Sequence, residues 1–213
     1  MPLHPLLLSL QVAVSATAIV LVVGIGLALL ISRARFPGKP FLEAAIALPL
    51  VLPPTVVGYS LLWLLGRGGV LGGLDLVFTW GAAVVASSVV ALPLMVWSAE
   101  AAISAVDRDL EDAARTMGSS EWRIISLVTL PLAGRGIAAG TILAFARSLG
   151  EFGATLMVAG NIPGRTQTVP LAIYSAVLSN DADQATAWVI LMTVAGFAVV
   201  LMANRLRRIL GDV

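Results

Sequence analysis

The chain has 213 residues, of which 59% are hydrophobic and only 12% charged, with a mean hydropathy of +0.98 and a formal net charge of +1. So apolar a composition excludes an ordinary soluble domain and places the chain in a bilayer. The sequence holds no cysteine, which excludes a disulfide framework and a thiolate metal site.

A helix that crosses a bilayer needs about 20 mainly apolar residues. Pro5–Ser32, Ala44–Gly66, Leu76–Ala99 and Gln184–Asn204 contain no Asp, Glu, Lys or Arg and reach that length. Gly136–Ile162 is interrupted only by Arg147 and Glu151. The expected fold is an all-α membrane protein, one transmembrane domain over 1–213, with about five spans near 6–31, 41–65, 76–99, 136–160 and 184–204. A polar loop, 100–135, separates spans 3 and 4.

The first apolar run is longer than the 7–15 residues of a signal's apolar region and has no basic segment before it, so it is expected to be a retained span. His4, the single histidine, precedes it and carries no expected role. Arg33, Arg35 and Lys39 follow around a Phe36-Pro37-Gly38 turn. By the positive-inside rule this loop is cytoplasmic and the N-terminus lies outside.

The second span contains Pro49, Pro53 and Pro54, followed by Thr55 and Gly58. A proline removes a backbone hydrogen bond and clashes with the preceding turn, which predicts a kinked or locally unwound span. The freed carbonyls must be buried in protein or face water, so the segment either lines a path or is a packing kink. Gly66-Arg67-Gly68-Gly69 makes an outside loop, and the third span returns with Pro93 near its inner end.

Glu111–Pro131 is the long polar interlude of the chain. After Asp107, a candidate N-cap, Leu110, Ala113, Ala114 and Met117 recur at helical spacing on one face, with Asp109, Glu111, Asp112 and Arg115 on the other face or the flanks. Gly118 is placed to end this helix, Ser119 or Ser120 to cap a second, and Pro131 to interrupt it. Small apolar residues flanked by acids suit a groove on a protein partner better than a lipid surface, whose helices carry basic faces. The bland reading is a solvated loop helix that joins two spans.

The fourth span carries Arg147 and Glu151, four residues apart and expected on one helical face, where they can pair. Charges at bilayer depth normally face a bundle interior or a water-filled cavity, and a buried structural pair is the alternative. Gly150 and Gly153 beside them permit close approach of another helix. Thr168–Leu178 is apolar but about half the spanning length, which predicts a re-entrant or interfacial helix. Asn180-Asp181-Ala182-Asp183 caps the last span, which ends in Arg205, Arg207 and Arg208.

With five spans, ten of the 13 Lys and Arg fall inside (Arg33, Arg35, Lys39, Arg108, Arg115, Arg123, Arg135, Arg205, Arg207, Arg208). Arg67 and Arg165 fall outside and Arg147 within the membrane. This asymmetry predicts an outer N-terminus and a cytoplasmic C-terminus. The sequence has no GxxxxGK[ST] phosphate loop, no G-x-S-x-G and no H-E-x-x-H, so neither ATP binding by that loop nor covalent catalysis is expected of this chain.

Asp112-Ala113-Ala114, three residues, Gly118, nine residues, then Val128-Thr129-Leu130-Pro131 resembles the EAA loop of ABC-importer permeases, with Asp for the usual Glu and Val for the usual Ile. The stretches Arg147–Thr155, Ala159–Thr168, Pro170–Tyr174 and Leu48–Gly58 are similar to ModB-type molybdate permeases of that group. The resemblance implies a homodimer of permease subunits, a cytoplasmic ABC ATPase dimer that carries ATP and Mg2+, and an extracytoplasmic oxyanion-binding protein, in a bacterial-type cytoplasmic (inner) membrane. Nucleic acid is not among the expected partners, and this chain itself is expected to bind no cofactor or metal. The implied coupling residues are Glu111, Asp112, Ala113, Ala114 and Gly118. The implied translocation-path or dimer-interface residues are Pro53, Pro54, Thr55, Arg147, Glu151 and Gly153. The expected function is ATP-driven import of molybdate or tungstate, with a sulfate or thiosulfate permease as the alternative. A secondary transporter or channel, and a structural subunit, fit less well, since only one span has ionisable residues deep within it.

Overall fold

The computed structural model describes residues 3–211, so residues 1–2 and 212–213 of the expected 1–213 domain lie outside the described residues. The helices in chain order are α1 (His4–Arg33), α2 (Lys39–Val51), α3 (Pro54–Leu65), α4 (Trp80–Ser104), α5 (Arg108–Thr116), α6 (Glu121–Ile124), α7 (Leu130–Leu132), α8 (Gly134–Leu149), α9 (Gly153–Ala159), α10 (Val169–Leu178) and α11 (Ala182–Gly211). A π-helical turn, Ile125–Thr129, joins α6 to α7, and no strand occurs among the described residues.

Three helices, α1, α4 and the Ala182–Met202 part of α11, are each long and apolar enough to cross a bilayer. Two bent pairs bring the number of candidate spans to five: α2 with α3, at 117°, and Glu121–Leu132 with α8, at 71°. The expected second span, 41–65, is therefore two helices, unwound between them, which is the second of the two distortions its prolines predict. Leu52 and Pro53 each precede a proline, whose ring pushes the preceding residue out of the helical region. Both are extended, at ψ 142° and 138°. Pro49, which has no second proline after it, stays inside α2.

The core runs along the bundle in two levels. At one, Val12 of α1 packs with Val57 and Leu61 of α3, Val90 of α4 and Val158 of α9. At the other, Val20 and Ala28 of α1 meet Met95 and Ile103 of α4 and Ala144 of α8. Ile46 of α2 packs with Ile31 and Val96, beside the second level, whereas α3 packs at the first.

The third span begins at Trp80 and not at Leu76, because Thr79 accepts the Ala82 N–H at 3.3 Å as an N-cap while the Phe78 N–H is used on Val158 O at 3.0 Å. Helix α10 has the half-spanning length expected of 168–178. Its first N–H, from Val169, donates to Ser9 Oγ of α1 at 2.8 Å, and Trp188 of α11 is buried against Val169 and Ala172. Asp181 caps α11 by accepting the Gln184 N–H at 3.0 Å, as expected of the Asn180–Asp183 stretch. Ile190, Val194, Phe197 and Leu201 of α11 stay exposed, as do Val14 and Val22 of α1, faces that suit lipid or another apolar chain.

Candidate functional site

The polar interlude folds much as its caps dictate. Asp107 Oδ1 accepts the Asp109 N–H at 3.0 Å and opens α5, and Gly118, at φ +81°, closes the turn after it. The Ser119 N–H then returns to Ala114 O at 3.1 Å, and Ser120 is the N-cap position of α6. Pro131 is not what interrupts the second helix; it sits in the first turn of α7, and the interruption is the π-helical turn before it. Arg115 spans the Gly118 break: its Nε and Nη2 donate to Glu121 at 2.6 and 3.0 Å, and its Nη1 to Asp112 at 2.5 Å. This fork pushes the Arg115 guanidinium pKa up and holds the Glu121 carboxyl below its ordinary value, the Arg115–Glu121 hydrogen bonds being the main cause for both.

Helix α5 turns two different faces outward and inward. Leu110, Ala113 and Met117 are exposed, and Trp122 of α6 is 77% exposed nearby in sequence. Ala114, expected on the same face as those three, is buried together with Glu111. Glu111, expected among the outward acids, points into the protein: Oε1 lies 2.5 Å from Arg33 Nη2 and accepts the Thr129 hydroxyl at 2.7 Å.

The residues expected on a path or interface come together in part. A Cβ added at Gly153 would lie 2.9 Å from Pro54 Cβ and 3.6 Å from Thr55 N, and one at Gly58 would lie 2.8 Å from Ala154 Cα. Only residues without side-chain bulk let α3 and α9 cross this closely. The prolines at 53–54 and the glycine at 153 are thus two sides of one crossing, with Pro53, Pro54 and Thr55 exposed beside it.

Arg147 and Glu151 do pair, at 2.8 Å between Nη2 and Oε2, but not along one helix. Helix α8 ends at Leu149, and Glu151 lies in the break before α9, where its Oε1 accepts the Ala154 N–H at 2.8 Å. The carboxylate caps α9, the role acids fill best at a helix start, and at 3% exposure it is buried while doing so. Phe152, in the same break, leans on Tyr174 of α10 with ring centroids 5.4 Å apart.

At the end of the bundle where α3 and α9 finish, Arg67 and Arg165 line one hollow of about 630 Å³ with Asp75 and Thr79. Beside it Gln167 Nε2 donates to Asn161 Oδ1 at 3.0 Å and to Ser175 Oγ at 3.1 Å, which fixes the 160–168 turn to α10.

Residues 7–212 match the model of the family described as binding-protein-dependent transport system inner membrane component. The chain belongs to that family. This inner membrane component is similar to the molybdenum transport system permease protein ModB of Haemophilus influenzae, with 45% identity across 94% of this chain and 89% of that protein. It is equally similar, at 45% identity over 94% of this chain and 92% of the relative, to the putative molybdenum transport system permease protein YvgM of Bacillus subtilis. Its fold matches that of a chain in inward-facing structures of the MetNI methionine ABC transporter, with a TM-score of 0.78 over 97% of this chain and 94% of that one, at 18% identity.

Two features of the permease component escaped the reading of its sequence. The Arg33–Glu111–Thr129 contact joins residues far apart in the chain, and its only local signal is that Glu111 stands three residues before Ala114, on the one side of α5 that is buried. Trp122, an exposed aromatic one turn after the Gly118 break, had a visible signal in being the bulkiest residue of a polar stretch.

Proposed function

We propose that this chain is the transmembrane permease subunit of an ATP-driven ABC importer that carries molybdate, and tungstate of the same shape and charge, into the cytoplasm. The observation that carries this reading is the 45% identity, over nearly the whole length of both chains, to permeases named for molybdenum transport. Two copies form the path, a cytoplasmic ATPase dimer supplies ATP and Mg2+, and an extracytoplasmic binding protein delivers the oxyanion. The N-terminus lies outside and the C-terminus in the cytoplasm of the inner membrane.

Helix α5 is the coupling element. Its exposed Leu110, Ala113 and Met117, flanked by Asp109 and Asp112, form an apolar surface for the ATPase, and Gly118 sets the angle at which it is presented. The α3–α9 crossing, with Pro53, Pro54, Thr55 and Gly153, lies beside the path or the dimer interface. Arg147 and Glu151 belong to the same region in a structural role: a carboxylate that is buried, paired and capping a helix is not available to a passing anion.

The test is uptake of labelled molybdate by the reconstituted complex of permease, ATPase and binding protein. ATP-dependent uptake that excess sulfate barely reduces is expected. Preferential sulfate uptake would move the assignment to a sulfate or thiosulfate permease, and uptake that persists without ATP would overturn the importer reading.

A further inference from the structure

Of the three acids in α5, Asp109 and Asp112 are exposed, whereas Glu111 is buried at 3% exposure. Its Oε1 accepts from two segments that come from different parts of the chain. Arg33 Nη2, the last residue of α1, lies at 2.5 Å, and the Thr129 hydroxyl, in the π-helical turn that leads to α8, lies at 2.7 Å. Arg33 Nη2 also donates to Ile103 O in the last turn of α4, at 3.3 Å. One carboxylate therefore holds the coupling helix to the ends of α1 and α4 and to the approach to α8.

Little else ties α5 to these helices. Among the described residues, the only side-chain hydrogen bonds from α5 to α1 or to the turn before α8 are those of Glu111, which lines a hollow of about 450 Å³ with Arg33, Arg108, Arg115 and Glu121. The Arg115 fork to Glu121 and Asp112 is exposed to water and screened, and it ties α5 to α6 rather than to the spans. A buried ion pair is a poor source of net stability, because desolvation offsets most of its attraction. A satisfied one defines a single geometry for the groups it joins.

We propose that Glu111 is a positioning residue of transport. Its clasp with Arg33 and Thr129 makes α5 move as one body with α1 and α4, so that a displacement imposed on α5 reaches the membrane helices undiminished. The inference rests on the importer reading above and adds to it which residue carries the movement inward. Docking is the work of the exposed face, and Glu111 acts behind it.

The sequence holds no cysteine, so Arg35→Cys and Thr116→Cys can carry a pair of spin labels at two exposed positions, one beyond α1 and one at the end of α5. In the assembled complex with Glu111 intact, the label distance is expected to stay the same with and without ATP. In Glu111→Gln it is expected to change or broaden when ATP binds, and the ATP hydrolysed per oxyanion carried is expected to rise about fivefold or more. Thr129→Val, which removes one hydrogen bond at nearly constant volume, should show the same effects to a smaller degree. Arg33→Met with Glu111→Met removes both charges and keeps the complex folded if the single variant is unstable; it should reproduce the Glu111→Gln behaviour. Unchanged distances and an unchanged ratio in these variants would overturn the clasp. A complex with no ATP-driven uptake even with Glu111 intact would sink the importer reading instead; the clasp is then decided in the purified permease alone, where the label distance is expected to broaden in Glu111→Gln and an unchanged distribution would overturn it.

Discussion

Gly118 carries its role in its backbone. It lies at φ +81° with open space where a Cβ would be, so a side chain there is strained by conformation and not by crowding. Holding an ordinary L-residue in that region costs about 1–2 kcal/mol, less for Asn. Gly118→Ala is expected to lower the thermal midpoint of the purified permease and Gly118→Asn to lower it less. Gly118→Trp, which adds bulk beside the exposed Met117, is expected to abolish ATP-driven uptake while hydrolysis by the complex continues; normal uptake in that variant would remove Gly118 from the coupling surface. This glycine was legible because a cap residue is chosen by the last turn of its own helix. Glu111 was not, because its partners lie 78 and 18 residues away, and helical periodicity alone set it among the solvated acids.

Among the elements, the broken second span shows how far local chemistry reaches. Three prolines in the sequence predicted distortion between residues 49 and 54, and the break falls where two consecutive residues each precede a proline. The 117° angle is another matter, since it depends on what α3 packs against once the helix is broken. Its partner is α9, through the close approach of Gly58 to Ala154 and of Gly153 to Pro54. Gly58→Leu is expected to destabilise the permease by about 1–3 kcal/mol, because the obstructing atoms are Met157 Cβ and the Ala154 backbone, whose positions no side-chain rotation changes. Gly26→Ala, in α1 with nothing within 4 Å of the added carbon, is the control and is expected to be neutral or slightly stabilising. Equal thermal midpoints for the two variants would mean that the crossing is loose. The fourth span teaches the same lesson: Gly150 and Gly153 signalled close approach of another helix, but only the structure makes Glu151 the cap of a separate helix α9.

For the whole molecule, three of the ten Lys and Arg expected inside, Arg33, Arg108 and Arg115, line one hollow, and both of those expected outside line another. Arg33 meets Glu111 and Ile103 at one end, whereas Arg67 and Arg165 line a common hollow at the other. Ser119→Cys is expected to react with an impermeant maleimide only after intact cells are permeabilised, and Arg67→Cys and Arg165→Cys without permeabilisation. The reverse pattern would invert the orientation and remove α5 from the side where ATP is found. The exposed apolar faces of α1 and α11 gave no such direction from sequence, because lipid and a second subunit select the same side chains.

By itself the sequence determined the helical class, the length and number of the apolar runs, the turn at Gly118 and the caps at Asp107 and Asp181. All of these follow from transfer energies and backbone preferences that act within a few residues. Only the tertiary structure decided that Glu111 turns inward, that Pro54 meets Gly153, and that the fourth apolar run is two helices. Those outcomes depend on crossing angles and on partners brought together from distant parts of the chain, which no local preference encodes.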